Sequence, residues 1–139
     1  MKTPTVPHSN AEQTALNTVE QYFERFNQKQ FNQVAVLFDD EGQLCPPFDS
    51  PLVGPEKISA YLRRAAKNMT AHPQEWQPQP LETAQWQINV SGKVETSVFK
   101  VNVGWQFIVT PTGKIEQASI KLLASPKELL NLRSAVPAS

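Results

Sequence analysis

The sequence has no excess of charge of either sign, no long apolar run and almost no cysteine. Its 13 lysine and arginine residues balance 13 aspartate and glutamate residues. A chain without a field of one sign does not attract nucleic acid, so that class of partner is not expected. The single cysteine, Cys45, cannot form a disulfide within the chain, which favours a reducing compartment. No stretch approaches the roughly 18 apolar residues of a membrane-spanning helix. The N-terminus has no apolar signal core, and we expect a cytoplasmic protein.

Groupings of residues that carry metal or acid–base chemistry are missing as well. The two histidines, His8 and His72, lie far apart in the sequence without a second ligand nearby, so no metal site is expected. The acidic run 39–41 stands before a glycine and is interpreted as a turn at a helix end. There is no glycine-rich phosphate-binding loop. The sequence therefore predicts no catalytic residues.

Apolar residues at helical spacing predict four helices. Residues 1–10 show no periodicity and are interpreted as a flexible arm. A single domain is expected at 11–133, with a tail at 134–139. Its first helix carries an apolar stripe from 11 to 26 at three-and-four spacing. The remaining three helices are predicted from similar stripes and flanking prolines, at 30–38, 55–69 and 126–132.

From residue 86 onwards, apolar and polar residues alternate, as they do in strands. Tight turns are predicted at Ser91-Gly92 and Thr112-Gly113. A bulge is predicted at 97–99, where the alternation changes phase. The proline-rich segment 72–80 is interpreted as a connector and 43–48 as a short edge strand. Helices followed by antiparallel strands indicate an α+β domain, in which N-terminal helices pack on a strongly curved antiparallel sheet, like the wall of a cone, and leave a cavity.

Two aromatic residues are the main candidates for that cavity. Tyr22 lies on the stripe of the first helix and Trp105 on the apolar face of the strand at 99–109. Each combines an apolar ring with one hydrogen-bond donor. A buried donor without an acceptor costs about 1–3 kcal/mol, so a ligand, water or backbone must accept from such a pair. A long apolar molecule that ends in a carbonyl would suit them; the alternative is that both are ordinary core aromatics.

The order of these elements resembles the NTF2-like fold, and two segments narrow the resemblance. They are Pro46-Pro47-Phe48-Asp49-Ser50-Pro51-Leu52-Val53-Gly54 and Ile120-Lys121-Leu122-Leu123-Ala124-Ser125-Pro126-Lys127-Glu128-Leu129-Leu130-Asn131-Leu132. Both resemble the C-terminal domain of the cyanobacterial orange carotenoid protein, and the resemblance covers roughly residues 16–133. The chain is similar to the family of C-terminal domain homologs, which lack the helical N-terminal domain.

The resemblance implies a ligand and a set of site residues. In the family, a helix tyrosine and a strand tryptophan hydrogen-bond the keto oxygen of the pigment, and these positions fall on Tyr22 and Trp105. Seven further positions fall on pigment-lining residues: Phe26, Pro46, Pro47, Met69, Val94, Thr96 and Val98. Val98 and Ala66 stand where the family has a tryptophan and a cysteine, which widens the expected pocket.

The resemblance also implies a physiological role. It implies a ketocarotenoid ligand such as canthaxanthin or echinenone, and a homodimer that shares one pigment. It further implies storage, delivery of pigment to helical carotenoid proteins and quenching of singlet oxygen in photoprotection. Association with thylakoids and transient contact with a membrane surface, through Arg63, Arg64 and Lys67, are further expectations; a solvated helix face is the simpler interpretation of these three cations.

Two other function classes remain open. One is an enzyme of the ketosteroid isomerase or polyketide cyclase type, in which Tyr22 would polarise a carbonyl. That reaction also needs a carboxylate, and neither 44–47 nor the apolar face of 99–109 supplies one. The other is a partner-binding scaffold, whose mark would be an exposed apolar sheet face. Cys45 is interpreted as an inert core residue, with a redox-sensitive dimer contact as the alternative.

Overall fold

The computed structural model describes residues 10–123. Its helices are α1 (Asn10–Asn27), α2 (Phe31–Ala35) and α3 (Pro55–Ala65). Its strands are β1 (Phe38–Cys45), β2 (Leu52–Val53), β3 (Thr70–Pro80), β4 (Trp86–Glu95), β5 (Lys100–Val109) and β6 (Ile115–Leu122). The predicted helix at 126–132, the tail at 134–139 and all but the last residue of the predicted arm lie outside the described residues.

All six strands form one sheet in the order β2-β1-β6-β5-β4-β3. The α+β class is confirmed, but the prediction of an antiparallel sheet is wrong for one pairing, because β1 and β6 run parallel. The chain between these two strands includes α3 and four strands, which is more than the length a parallel pairing needs. Local alternation predicts strands but carries no information on which distant strand becomes a neighbour.

The segment 72–80 is a strand, so its interpretation as a connector is wrong. β3 contains Pro73, Pro78 and Pro80 and lies at one edge of the sheet, where a residue without an N–H group is tolerated. It pairs with β4 along nearly its whole length, with a register shift between Pro73 and Glu75. Proline content in this segment indicates an edge position and not the absence of a strand.

The turn predicted at Ser91-Gly92 and the bulge predicted at 97–99 are also wrong. Residues 91 and 92 lie inside β4, and the chain reverses instead between Thr96 and Phe99. Thr96 Oγ1 accepts from the N–H groups of Val98 and Phe99 at 3.2 and 3.1 Å, which stabilises that turn. The change of phase in the sequence therefore marks a hairpin. Gly92 is required for close approach, since a Cβ there would collide with the backbone of His72 beside the β3 register shift.

The second predicted helix, 30–38, is shorter than expected. α2 ends at Ala35, and β1 begins at Phe38. The acidic residues 39–41 therefore lie in a strand and not in a turn. They coincide with a register shift between Phe38 and Gln43 in the pairing of β1 with β6, so this part of the strand is irregular. A bulge of this kind explains how a glycine and three carboxylates fit within β1.

The core lies between α1 and one face of the sheet. Ala15, Val19, Tyr22 and Phe23 are buried along the helix, which confirms the predicted stripe. They pack against alternate residues of the central strands, among them Ile88, Trp105 and Phe107. The Thr18 hydroxyl lies 2.9 Å from the Gly113 carbonyl in the β5–β6 turn, as a hydrogen bond. Gly113 has φ +90, which confirms the turn predicted at 112–113.

Candidate functional site: an apolar cavity

An apolar cavity of about 580 Å³ lies between α1, α3 and the inner face of the sheet. Its volume falls within the range of small-molecule sites. Apolar side chains from β4, β5, β6 and α3 form most of the wall, and the segment after β1 forms another part. The lining residues are Tyr22, Phe26, Leu44, Pro46, Pro47, Phe48, Asp49, Tyr61, Leu62, Ala65, Ala66, Met69, Val94, Thr96, Phe99, Val101, Val103, Trp105, Ile120 and Leu122.

Tyr22 brings an unpaired hydroxyl group to this cavity. The residue is 1% exposed, and its Oη has no hydrogen-bond partner within the described part of the chain. Its ring is fixed by the rings of Phe26, stacked at 6.0 Å between centroids, and Phe107, edge-on at 4.9 Å. Burial raises the pKa of Tyr22 far above its usual value, and the nearby Tyr61 adds to the shift, so the phenol is a neutral donor. A ligand that accepts from Oη would remove the cost of this orphan group, about 1–3 kcal/mol.

Trp105 lines the same cavity from the sheet side. It is 4% exposed and lies in the middle of β5, paired with Val90 of β4 and Ile120 of β6. Phe23 packs edge-on against the indole at 4.8 Å and against the Tyr22 ring at 5.3 Å. One aromatic residue thus supports both predicted donors. The structure brings Tyr22 and Trp105 to one cavity, as the sequence predicts.

The predicted lining residues lie around the cavity with one exception. Phe26, Pro46, Pro47, Met69, Val94 and Thr96 all contribute to the wall. Val98 does not, because it lies in the β4–β5 turn and is 83% exposed. Its neighbours Thr96 and Phe99 line the cavity, so Val98 lies on the rim. The resemblance implies Val98 as a pigment-lining residue, and the structure places it at the rim of the cavity and not in its wall.

A polar pair at the cavity was not predicted from the sequence. The Tyr61 hydroxyl donates to Asp49 Oδ2 at 3.0 Å and joins α3 to the segment between β1 and β2. Burial raises the pKa of Tyr61 to about 12, and its hydrogen bond to Asp49 adds to the shift. The guanidinium group of Arg64 lies 5.4 Å from the centre of the Tyr61 ring. The sequence feature that could have indicated this pair is the position of Asp49 among four prolines, shortly before the helix that carries Tyr61.

Other candidates from the sequence lie away from the cavity. Cys45 is half-buried at the end of β1 and pairs with Ser119, so it is less enclosed than the core residue that the sequence indicated. His72 lies in β3 and contacts Glu95 at 3.1 Å. Residues 10–123 contain no cluster of three or more histidine, cysteine, aspartate or glutamate side chains suited to a metal ion. Within the same range, none of the helices has the length and apolar character needed to cross a bilayer.

Comparison with protein families identifies this arrangement of helices and strands. The Nuclear transport factor 2 (NTF2) domain matches residues 14–118. The chain belongs to the NTF2 domain family. Within this family, helices lie against one face of an open mixed sheet, as α1 does here. The predicted NTF2-like fold is therefore confirmed.

Within the NTF2 domain family, the chain is homologous to orange carotenoid-binding proteins of cyanobacteria. It is 41% identical over 120 residues to the protein of Limnospira maxima and 42% identical over 118 residues to that of Synechocystis. The matches cover 84% and 82% of this chain. They cover only 38% and 37% of the relatives, so the chain spans well under half of their length. The region matched is their C-terminal domain.

A solved relative gives the same result in three dimensions. The orange carotenoid protein of Anabaena (Nostoc), solved binding canthaxanthin, superposes with a TM-score of 0.74 at 37% identity. The superposition covers 82% of this chain and 38% of that protein. The predicted resemblance to the C-terminal domain of the orange carotenoid protein is thus confirmed.

Proposed function

We propose that the chain binds a ketocarotenoid, such as canthaxanthin or echinenone, in the cavity between α1 and the sheet. The keto oxygen of one terminal ring accepts hydrogen bonds from Tyr22 Oη and the Trp105 indole. The observation that carries the proposal is the buried Tyr22 hydroxyl without a partner at an apolar cavity. The relative that binds canthaxanthin supports the choice of ligand class.

The cavity lining determines which groups contribute affinity and which position the ligand. The apolar wall contributes most of the affinity, at about 25 cal/mol per Å² of apolar surface buried. The two donors fix the depth and register of the ring, because an ionone ring without a keto group would leave the buried Tyr22 hydroxyl unpaired. Hydrogen bonds to the carbonyl also polarise the conjugated chain, and its absorption should shift to the red.

A carotenoid is longer than this cavity, since a domain of this size has a radius of gyration of only about 14 Å. The protruding half needs an apolar cover, and two large apolar side chains are exposed at the rim. Phe48 is 54% exposed while it lines the cavity, and Val98 is 83% exposed between Thr96 and Phe99, which both line it. A second copy that brings the same rim would enclose the pigment in a symmetric homodimer.

This arrangement suits a carrier more than a catalyst. We infer that the protein stores the pigment, passes it to helical carotenoid proteins and quenches singlet oxygen while the pigment is bound. The helical partners are proposed from the similarity of the chain to the C-terminal domain of the orange carotenoid-binding proteins. We place this activity in the cytoplasm, with transient contact to the thylakoid surface where carotenoids dissolve.

Expression in cells that synthesise canthaxanthin tests the proposal. We expect a coloured protein whose absorption is red-shifted relative to the free pigment. The double variant Tyr22→Phe/Trp105→Phe should lose the red shift or the pigment. Trp76→Phe is the matched control, because this indole contacts Phe23 at 5.6 Å but does not line the cavity. A colourless wild-type protein, or an unchanged spectrum in the double variant, would contradict the proposed site.

Sedimentation with and without pigment tests the dimer. We expect the pigment to double the mass of the wild type, and Phe48→Ser/Val98→Ser to remain monomeric. Val36→Ser serves as the control, since Val36 is 52% exposed but does not line the cavity. If the rim variant dimerises as the wild type does, the second copy does not use this rim.

One observation favours the enzyme as a second candidate. The NTF2 fold includes enzymes, and Asp49 provides at the cavity a carboxylate that neither 44–47 nor the apolar face of 99–109 supplies. Asp49 is exposed and already accepts from Tyr61, so it is poorly placed to remove a proton from a buried substrate. Proton exchange at the α-carbon of a bound cyclic ketone, abolished by Asp49→Asn, would establish the enzyme.

The scaffold alternative predicts an exposed apolar sheet face, and most exposed positions on the described strands do not fit that prediction. The outer face of β3, β4, β5 and β6 carries Gln77, Asn89, Gln106 and Ser119 around a shallow depression. These four positions are polar where a scaffold of the expected kind would be apolar, although the depression also includes Leu123, which is 49% exposed.

A further inference from the structure

A second hollow of about 580 Å³ lies on the other side of the C-terminal half of α1. Its wall contains Arg25 and Lys29 from the end of α1 and the following turn, and Arg63 from α3. The remaining lining residues are Gln30, Phe31, Asn32 and Gln33. Three cations thus meet on a surface to which no carboxylate contributes, in a chain whose total charge is zero.

Each of the three cations is already fixed by a neutral acceptor. Arg25 Nη1 donates to the carbonyl of Gln33 at 3.0 Å, and Lys29 Nζ donates to the carbonyl of Met69. Arg63 Nη1 donates to Asn32 Oδ1 and, at 2.6 Å, to Ser59 Oγ. These bonds hold the side chains in place but leave their charge uncompensated. Within residues 10–123, the contact between a histidine and a carboxylate is His72–Glu95, on β3 and β4, and neither residue lines this hollow.

We infer that this hollow, the basic pocket of Arg25, Lys29 and Arg63, binds an oxyanion of the phosphate type. Two guanidinium groups and one ammonium group offer N–H donors that remain free after the bonds described above. Phosphate oxygens accept several such bonds at once, and guanidinium groups match their geometry. The bracing of all three side chains reduces the entropy lost on binding. Burial lowers the pKa of Lys29, in agreement with a cation that has no anionic partner.

The basic pocket and the apolar cavity share a wall. Lys29 Nζ lies 5.9 Å from the centre of the Phe26 ring, and its acceptor is the carbonyl of Met69. Phe26 and Met69 both line the apolar cavity.

The oxyanion has two natural sources, the headgroup of an anionic lipid and free phosphate. The binding itself does not depend on the proposed carotenoid function, so either inference can fail without the other.

Titration with inorganic phosphate tests the site directly. We expect amide resonances at residues 30–33 to shift saturably with phosphate, but not with chloride at the same ionic strength. Arg25→Gln/Lys29→Gln should weaken binding by about 10-fold or more, since each lost bond is charge-assisted. Lys57→Gln/Lys100→Gln removes the same charge from exposed positions of α3 and β5, outside the pocket, and should bind as the wild type does. Arg25→Lys/Lys29→Arg keeps the charge and should retain binding, which separates loss of the site from misfolding.

Co-sedimentation with vesicles distinguishes the two sources. Binding to vesicles that contain phosphatidylglycerol, absent for pure phosphatidylcholine and lost in Arg25→Gln/Lys29→Gln, would identify a headgroup site. Shifts with phosphate without vesicle binding would identify a site for free phosphate. If neither probe binds, or if the Lys57/Lys100 variant loses as much affinity as the Arg25/Lys29 variant, the pocket is not a specific oxyanion site and the inference is overturned.

Discussion

Two hollows of equal volume flank the C-terminal half of α1, and they differ in every chemical respect. The apolar cavity has one buried donor at Tyr22 with no acceptor. The basic pocket has three charged donors, each of which is already bonded to a carbonyl, amide or hydroxyl oxygen. Volume therefore says little about the ligand of either. The two hollows differ in what is left unpaired. The apolar cavity has a neutral hydroxyl group without an acceptor, and the basic pocket has positive charge without a carboxylate.

The difference follows from the end of α1. Tyr22 and Phe26 are four residues apart on the helix and face the sheet, whereas Arg25 lies on another face of the helix and Lys29 in the turn that follows it. The cavity side is therefore part of the core, and its residues contribute to stability as well as to binding. The pocket side is mostly surface, and its residues can change with little effect on folding.

Replacement of one residue on each side should show the largest contrast. Phe23→Ala removes the ring that supports Tyr22, Trp76, Trp105 and Phe107, and it should lower the free energy of unfolding by about 3–5 kcal/mol. Lys29→Gln should change it by about 0.5 kcal/mol or less. Urea unfolding of both variants measures the two values. Equal losses would mean that the pocket side belongs to the core.

Much of the cavity side could be predicted from the sequence. The stripe of α1 and the alternation of β5 are periodic patterns that depend on burial alone, and they place Tyr22 and Trp105 correctly. The alternation fails at Val98, because a hairpin and a bulge both change its phase. It also fails in β3, where prolines at a sheet edge look like a connector.

The pocket side could not be predicted in this way. Arg25 and Lys29 stand 34 or more residues before Arg63, and their meeting depends on the packing of α2 between the ends of α1 and α3. The same applies to Asp49, which reaches the cavity through its bond to Tyr61. Polar residues on loops and helix ends carry no periodicity, so their arrangement follows from tertiary contacts alone.

A smaller change in the free energy of unfolding tests whether the Tyr22 hydroxyl lacks a partner. Without ligand, Tyr22→Phe should raise the free energy of unfolding by up to about 1–3 kcal/mol, because it removes a buried hydroxyl that has no partner and keeps the ring. Tyr61→Phe is the control, since the Tyr61 hydroxyl is bonded to Asp49 and its loss should be neutral or destabilising. Denaturant unfolding of pigment-free protein provides both values. Destabilisation by Tyr22→Phe would show that its hydroxyl has an acceptor after all, and the comparison with the basic pocket would lose its basis.

Alkaline pH should act on the two sides in opposite directions, as the smallest of the three effects. Tyr61 titrates at about 12 in the folded protein against 10.0 unfolded, and the pKa of Tyr22 is raised further, so the stability that these neutral phenols contribute is present below pH 10 and is lost as the pH rises through 12. Lys29 has a lowered pKa, so the cost of its burial as a cation is present below its folded pKa and disappears as the pH rises towards the unfolded value of 10.5.

Denaturant unfolding across this range should show a decline in the free energy of unfolding. Tyr22→Phe should reduce this decline more than Tyr61→Phe does. Lys29→Gln should make the decline steeper, because it removes the stability that the wild type gains when Lys29 loses its proton. Lys57→Gln, at an exposed position of α3, controls for the loss of one lysine. A decline of the same slope in wild type and Tyr22→Phe would show that the cavity phenol is hydrated, and a hydrated phenol would not favour a ketone over water.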